Sequence, residues 1–245
     1  MAARTLVLGI PLPHVSFDNY SFLSAPSFAD YSRLIVETAA VSRAVDDVIQ
    51  GHAEHHTFAG QPIANAPASP RSFSLAEILA MRRREAEWVL ARGGVIVCLA
   101  HPDVPHTGAE GIAEWRPYDW LPEPEGFSYP VDLAPAFGRP GVVLQDEGHA
   151  FAPYVQALAE RLAYRVQVNE QAPALKRPGT VFIRSSGGLA VGAELPVLDG
   201  RVIILPPLLR PENDRAFVAE TLFQCLERWQ NRASETAQTL RKEVP

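Results

Sequence analysis

Cysteine is scarce in this chain, which has only Cys98 and Cys225 among its 245 residues. Both lie in apolar segments, so we expect reduced core residues rather than the two halves of a disulfide. No apolar run is long enough to span a membrane. The N-terminal run at 5–10 is also too short for a secretory signal peptide, and Pro11 closes it. Together these absences predict a cytoplasmic protein with no membrane partner.

Positive charge is in deficit as well, with a formal net charge of −6 at pH 7. A deficit of this size argues against a general nucleic-acid-binding surface, so nucleic acid is not expected as a partner of this chain alone. The chain is also long enough to bury a sizeable core. The sequence shows no internal repeat and no low-complexity tract, and we expect a globular domain.

Several standard functional motifs are missing. The sequence has no phosphate-binding loop and no dinucleotide fingerprint, so no cofactor is predicted. The Ser-Ser-Gly-Gly run at 185–188 lacks the Gly-x-Ser-x-Gly elbow of a nucleophilic serine and is better read as a hairpin turn. His52, His55 and His56 form the densest histidine group, but without His-Glu-x-x-His spacing, in a region rich in glycine and proline. We predict a solvated loop there and no metal site.

The clearest pattern that is present covers residues 74–102. Its apolar positions recur at helical spacing and predict a helix with one stripe on a core: Leu75, Ile78, Leu79, Ala86, Val89 and Leu90. Ser74 with Glu77 three residues later is typical of an N-terminal capping box. Gly93 and Gly94 would end the helix. The apolar run 95–100 then predicts a strand covered on both faces, with Cys98 in its core.

Helical and strand patterns alternate along most of the chain. Strands are predicted at 4–10, 31–37, 95–100, 141–145, 164–168 and 201–205, with a hairpin at 180–184 and 189–193, and helices at 38–50, 74–92, 151–164 and 211–231. The fold class predicted is α/β, a doubly wound and mostly parallel sheet with helices on both faces and an antiparallel hairpin near the C-terminus. We expect one domain over 1–232, exposed loops including 51–73, and a polar tail at 233–245.

An insertion rich in proline and aromatic residues is predicted at about 102–140. So many prolines disfavour long helices and central strands. The segment also contains aromatic side chains that need somewhere to pack: Trp115, Tyr118, Trp120, Phe127, Tyr129 and Phe137. Two interpretations stay open. Ordered loops of this length are often lids or binding surfaces, but the segment could equally be a structural excursion that packs on its own domain.

The order of elements, the helix–Gly-Gly–strand unit at 75–100 and the late strand GRVIILPP before a final helix resemble the class I glutamine amidotransferase-like, flavodoxin-like fold. The chain resembles members of this fold that lack amidotransferase activity, such as the trehalose-utilisation-like group. Active members place a nucleophilic cysteine on a sharp, glycine-flanked turn and pair it with a late histidine and an acid. Here Cys98 lies inside a strand and no histidine follows His149. The resemblance therefore implies the fold without glutaminase activity.

Polar residues follow several of the predicted strands, where open α/β sheets bind ligands. The candidates are His14, Asp18, Asn19, His101, Asp103, Asp146, Glu147 and His149. If they converge on one crevice, a histidine between carboxylates would suit a general base or a metal ligand. The alternative is that loops at strand ends are polar in any protein.

Arg82 lies near the middle of the apolar stripe of the long helix. A buried guanidinium is costly unless it is paired. We predict a structural ion pair with a carboxylate such as Asp18, Asp30 or Glu37. The side chain could instead extend to a helix edge or bind an anionic ligand in the crevice.

Three functions remain open from the sequence. The first is a non-catalytic amidotransferase-like domain, a binding or assembly component of a cytoplasmic complex. It would hold a protein partner or a second copy of itself through the 102–140 insertion. The second is a hydrolase of a small polar substrate at the strand ends, with His101 as general base and Asp18 orienting it. The third is a nucleotide or sugar sensor in the same crevice. Whether the chain is an enzyme is left open, with the balance against.

Overall fold

The computed structural model describes residues 4–49, 54–58, 61–65, 70–102, 116–138, 141–176, 180–209 and 214–243. The strands are β1 (Thr5–Leu8), β2 (Phe17–Tyr20), β3 (Arg33–Glu37), β4 (Glu54–Phe58), β5 (Gln61–Asn65), β6 (Val95–Leu99), β7 (Leu133–Pro135), β8 (Val142–Leu144), β9 (Val166–Val168), β10 (Val181–Ser185), β11 (Ala190–Val197) and β12 (Gly200–Leu205). The helices are α1 (Thr38–Ile49), α2 (Pro70–Ala91), α3 (Tyr129–Asp132), α4 (Ala152–Leu158) and α5 (Arg215–Glu243).

Eight strands form the main sheet, in the order β2-β1-β3-β6-β12-β11-β10-β8. The five strands from β2 to β12 are parallel, and β11, β10 and β8 continue the sheet with antiparallel pairings. The prediction of an α/β fold with a mostly parallel sheet and a hairpin near the C-terminus is confirmed. The doubly wound arrangement stays a prediction. Among the described residues, no helix is both long and apolar enough to cross a membrane.

The central strands β3, β6 and β12 are buried on both faces. Neighbouring residues such as Ile96 and Val97 belong to two different hydrophobic clusters. The first cluster includes Leu79 and Leu90 of α2, and the second includes Leu222 of α5. Because both faces are covered, these strands need apolar residues at every position, which explains their continuous apolar runs.

Strand β2 was not predicted and lies in a segment expected to be a loop. It is an edge strand, and Phe17 is the one fully buried residue of its four. An edge strand pairs with a single neighbour and can remain polar on its open side. Its sequence therefore carries little of the apolar pattern that identifies the central strands.

Two predictions for the segment that precedes the long helix were wrong. Strands β4 and β5 form an antiparallel hairpin inside the predicted loop 51–73. Helix α2 begins at Pro70 rather than after Ser74. Proline is favoured in the first turn of a helix, so the capping-box pattern at Ser74 lies within the helix instead of at its start.

The C-terminal helix is also longer than predicted. Helix α5 continues to Glu243, whereas the sequence pattern indicated an end at 231 followed by a polar tail. Residues 233–243 include alanine, leucine, glutamate, glutamine, arginine and lysine, all good helix formers. Helix propensity continues the helix beyond the last periodic apolar residues, which were the only basis for the predicted end.

The described part of the predicted insertion packs on its own sheet. Tyr118, Trp120, Phe127 and Tyr129 are all buried in the hydrophobic cluster that includes α2. These four aromatic side chains therefore cannot form a partner surface, and the interpretation as a structural excursion is right for them. Phe137 is exposed. Trp115 lies outside the described residues.

Candidate functional site

The carboxyl ends of β1, β3, β6 and β12 lie at one edge of the sheet, called here the carboxyl edge. His101 follows β6 at this edge, and two hydroxyl groups fix its backbone. The His101 N–H donates to Thr38 Oγ1 at 2.8 Å, and the Tyr118 hydroxyl donates to the His101 carbonyl at 2.8 Å. The position of the imidazole is thus set by α1 on one side and by the buried insertion on the other.

The imidazole of His101 has an unsatisfied nitrogen. Its Nε2 atom is 4.0 Å from Glu37 Oε1, which is too long for a hydrogen bond. Nε2 is buried and has no other hydrogen-bond partner within the described chain. Burial, together with the charges of Arg165 and Arg43, lowers the pKa of His101 to about 4. The ring is therefore neutral at neutral pH. Glu37 itself accepts a hydrogen bond from Arg43 Nη2 at 2.7 Å.

A chain crossing over the end of β12 brings Arg165 to the same edge. Leu162 forms a bridge with Leu208, and the Ala163 N–H donates to the Pro207 carbonyl at 2.9 Å. Arg165 follows directly, close enough to His101 to affect its pKa. Its half-buried guanidinium makes no hydrogen bond or ion pair within the described residues. Arg165 is thus a cation without a counter-ion there.

The crevice expected beside β1 is filled. Strand order reverses at β1, with β2 on one side and β3 on the other, which is where such sheets commonly bind ligands. However, Gly9 at the end of β1 has φ +85° and packs directly on α1. A Cβ placed there would lie 2.1 Å from Ala40 Cβ. The available polar cluster consequently lies one position further along the sheet, between β3 and β6.

The structure does not bring Asp18 and His101 together. Asp18 forms an ion pair with Arg4 and accepts a hydrogen bond from the Tyr31 hydroxyl at 3.1 Å. It lies within β2, opposite Leu6, near the amino ends of the strands. Strand spacing and rise place it about 20 Å from His101. Glu37, the last residue of β3, is the carboxylate that approaches the ring. Asp18 therefore cannot orient His101.

His14 and Asn19 serve the loop between β1 and β2. The Asn19 amide bonds both backbone groups of Leu12, donating to its carbonyl at 2.9 Å and accepting from its N–H at 2.7 Å. The His14 ring stacks on Phe223 of α5 at 4.3 Å, with Nε2 3.5 Å from Glu220. These contacts hold the loop in place, and neither residue joins His101.

Asp146, Glu147 and His149 lie at the opposite, amino edge of the sheet. They follow β8, which the sequence pattern suggested as a further parallel strand. The observed β8 is antiparallel to β10 and runs opposite to β6 and β12. Its carboxyl end therefore lies where theirs begin. Asp146 accepts a hydrogen bond from the Gly148 N–H at 2.8 Å, and Glu147 is exposed. The prediction that these three residues share one crevice with His101 is therefore wrong, because β8 runs in the opposite direction to β6.

His149 is instead the centre of a satisfied polar network. Its Nε2 is 3.0 Å from Glu194 Oε2, and its Nδ1 accepts the Phe151 N–H at 3.2 Å. The ring stacks on Phe182 at 3.6 Å. Burial opposes ionisation of Glu194, but the His149 bond and the nearby Arg201 lower its pKa overall. Every polar atom of the imidazole has a partner, as expected for a structural residue.

Arg82 is a structural clamp. It is 3% exposed and donates to the carbonyls of Ala25 and Pro26. Its ion-pair partner is Glu85, at 2.7 Å, and its guanidinium lies over the Phe28 ring at 4.5 Å. The favoured prediction of a structural ion pair is confirmed, but the partner is three residues along the same helix and is none of the three carboxylates proposed from the sequence.

The remaining sequence candidates are Cys98, Asp103 and the histidine group at 52–56. Cys98 is fully buried, and burial raises the pKa of its thiol, so its assignment to the core is confirmed. His55 and His56 lie in β4, so the predicted loop is wrong there. Asp103 and His52 lie outside the described residues. Where side chains are described, no three metal-binding groups cluster.

A large groove runs beside the exposed face of α2 and has a volume of about 1720 Å³. One wall carries Arg83, Arg84, Glu87, Trp88 and Arg92 of α2. The other wall contains segment 122–126 of the insertion, with Glu123 and Glu125, and the turn at Leu198. We call this surface the α2 groove.

Sequence reasoning selected His101 but missed most of its neighbours. Glu37 ends a correctly predicted strand, so the strand-end rule could have selected it. Arg43 follows one helical turn later in α1. Arg165 had no such signal, because its position depends on a chain crossing that no local pattern shows.

No known protein family matches the sequence, and none of the characterised proteins compared with it is significantly similar. The resemblance to amidotransferase-like proteins therefore stays a prediction, and any function must be argued from this chain's own residues.

Proposed function

We propose that the chain is a non-catalytic, doubly wound, amidotransferase-like domain that assembles with a second copy of itself through the α2 groove, as a component of a cytoplasmic complex. The supporting observation is the exposure of large apolar side chains in this groove. Trp88 is 59% exposed and Leu198 is 61% exposed. Tryptophan is enriched among residues that dominate binding energy at protein interfaces.

The apolar surface continues along α2. Met81 is exposed on the same side of the helix as Trp88, two turns earlier, and both border a second, smaller groove. Single exposed apolar residues need no explanation, but contiguous ones mark interaction sites. Burying Trp88 alone in an interface removes a large apolar area from water, which favours association.

The charges of the α2 groove favour a second copy of this chain as the binding partner over a protein that is purely acidic or purely basic. The helix wall carries three arginines and one glutamate, Glu87, which pairs with Arg83 at 3.6 Å, so positive charge remains in excess there. Two exposed glutamates, Glu123 and Glu125, line the opposite wall. In a two-fold symmetric dimer every contact between two different residues occurs twice, once in each direction between the copies. The basic wall of each copy then faces the acidic wall of the other. A purely acidic or purely basic partner would be repelled by one wall.

This proposal changes the part assigned to the insertion. The buried aromatic residues fix the segment to the sheet, and the neighbouring loop 122–126 supplies the acidic wall. The insertion thus contributes to the interface through charged residues at its surface. Its aromatic residues act only as anchors.

A hydrolase remains the second candidate, supported by the Glu37–His101 pair. Its weakness is the pKa of His101, which burial and two arginines lower to about 4. A general base works best with a pKa near the operating pH, so this imidazole is a poor base at pH 7. If the chain is a hydrolase, His101→Gln must abolish turnover of a substrate in a hydrolase screen while the melting temperature is kept.

Sedimentation velocity over a hundredfold range of protein concentration tests the dimer. We expect the wild type to dimerise as concentration rises. Arg84→Glu and Glu125→Arg should each remain monomeric, because each brings like charges together. An equimolar mixture of the two variants should dimerise again, since the exchanged charges are complementary between copies.

The matched control is Arg228→Glu, a charge reversal at an exposed arginine on α5. It should dimerise like the wild type, while Trp88→Ala should weaken the dimer at least tenfold. A wild type that stays monomeric throughout contradicts the proposal. So does a mixture of Arg84→Glu and Glu125→Arg that fails to recover.

A further inference from the structure

The carboxyl edge contains a second, independent feature, which is an uncompensated positive charge. Glu37 is paired with Arg43 at 2.7 Å, and Arg165 lies nearby without a counter-ion among the described residues. His101 is neutral at pH 7. Among the described residues, two guanidinium charges therefore stand against one carboxylate in this cluster.

The same cluster contains an unsatisfied polar atom. His101 Nε2 is buried, has no hydrogen-bond partner within the described chain, and is 4.0 Å from the closest Glu37 oxygen. Most buried polar atoms have a partner, and an orphan calls for an explanation such as a bound ion or ligand. The side chain is nevertheless 26% exposed, so part of the ring other than Nε2 reaches solvent.

The local fold reinforces both features. Helix α1 begins at Thr38, directly after Glu37, so the positive end of its dipole lies at this edge. Thr38 also accepts the backbone N–H of His101, which fixes the ring relative to the helix. The arrangement is preorganised for a small negative group.

We propose that the carboxyl edge binds a small oxyanion, a phosphate or carboxylate group, between Arg43 and Arg165, with His101 Nε2–H as a third donor. Guanidinium groups match oxyanion geometry and form strong, charge-assisted hydrogen bonds. The neutral imidazole supplies a donor without needing a proton from solution. The bound group would neutralise the surplus charge and satisfy the orphaned nitrogen. This site shares no residue with the α2 groove and stands whether or not the chain dimerises.

Isothermal titration calorimetry with inorganic phosphate, and separately with sodium acetate, tests the proposal, with sodium chloride at matched ionic strength as reference. We expect one oxyanion to bind in a one-to-one ratio and chloride to give no signal. Binding of phosphate alone indicates a phosphate-bearing natural ligand, and binding of acetate alone indicates a carboxylate. Arg165→Gln should weaken binding about tenfold, the loss of one charge-assisted hydrogen bond.

Arg228→Gln is the matched control, since it removes one exposed arginine charge on α5 and should bind like the wild type. If Arg165→Gln does not fold, Arg43→Gln serves instead. It should also weaken binding, because the charge of Glu37 would then face the anion. Nitrogen NMR of the imidazole adds a direct readout, in which the His101 Nε2 signal shifts on saturation.

Three results would overturn the proposal. The first is that neither oxyanion binds more strongly than chloride. The second is that the folded arginine variant binds like the wild type. The third is that the Nε2 signal does not move at saturation. None of these depends on the oligomeric state, so a failure here is distinct from a failure of the dimer.

Discussion

His149 and His101 lie at opposite edges of the same sheet and differ in how their nitrogens are used. At the amino edge, His149 is 5% exposed, and both of its nitrogens have partners. At the carboxyl edge, His101 has its backbone fixed but its Nε2 atom unsatisfied. The first arrangement stabilises the fold. The second leaves a polar group unpaired, which is tolerated where a ligand can supply the missing partner.

The largest effect is expected at Arg82, where a buried charge has an ion-pair partner and donates to two carbonyl groups. Arg82→Ala should lower the free energy of unfolding by about 3–5 kcal/mol, because it leaves Glu85 and two carbonyl groups without their donor. Urea denaturation followed by circular dichroism measures this. Arg228→Ala, at an exposed position on α5, should change stability by less than about 0.5 kcal/mol. Equal effects from the two variants would mean that the clamp contributes nothing.

His149→Ala should destabilise the protein by about 2–3 kcal/mol, because it removes a stacked ring, leaves the Phe151 N–H without an acceptor and leaves Glu194 with Arg201 as its remaining partner. The groups affected are Glu194 and the Phe151 N–H. Urea denaturation measures this loss as well, and Glu147→Ala, a change at a neighbouring exposed residue, is the control. A loss below about 0.5 kcal/mol would show that the amino-edge network is not a stabilising one.

The pH dependence of stability should report on the carboxyl edge. The pKa of His101 falls from an ordinary 6.5 to about 4 in the folded chain, through burial and the charges of Arg165 and Arg43. Between these values the unfolded chain binds a proton that the folded chain does not. The free energy of unfolding therefore falls as pH is lowered from about 6.5 towards 4.

From pH 7 to pH 5, this contribution should be on the order of 1–2 kcal/mol, reduced from the full shift because the ring is partly exposed. Denaturation curves of the wild type and His101→Gln at both pH values measure it by difference. If the two proteins lose the same stability on acidification, the imidazole is not held neutral by its surroundings.

The smallest effect is expected from His101→Gln at pH 7. A group that lacks a partner in the fold contributes little to stability, so the change should be less than about 1 kcal/mol. Thermal melting at pH 7 measures it beside His149→Ala. A loss as large as that of His149→Ala would mean that His101 is a structural residue like its counterpart.

The fold was predictable where the apolar pattern of a single segment reflects the burial of that segment. The apolar stripe of α2 and the continuous run of β6 both follow from burial, and both were predicted. Strand β2 was missed because an edge strand has only one neighbour to pair with. The direction of β8 was missed because a short apolar run reads the same in a parallel or an antiparallel position.

The candidate site was predictable only in part. His101 follows a central strand, and the strand-end rule located it correctly at the carboxyl edge. The rule failed for His149 because β8 runs the other way, and for Asp18 because that residue lies within β2. Arg165 comes from a segment that crosses the sheet edge, and no local pattern marks such a crossing.

The sequence by itself determined the α/β class and the core position of Cys98, because the apolar patterns that predict burial are local properties. Only the tertiary structure decided which polar residues share an edge, since this depends on the order and direction of strands far apart in the chain. It also decided that Arg82 is paired and that Arg165 has no counter-ion among the described residues. The sequence shows where an arginine occurs, but the groups that contact its guanidinium depend on the tertiary structure.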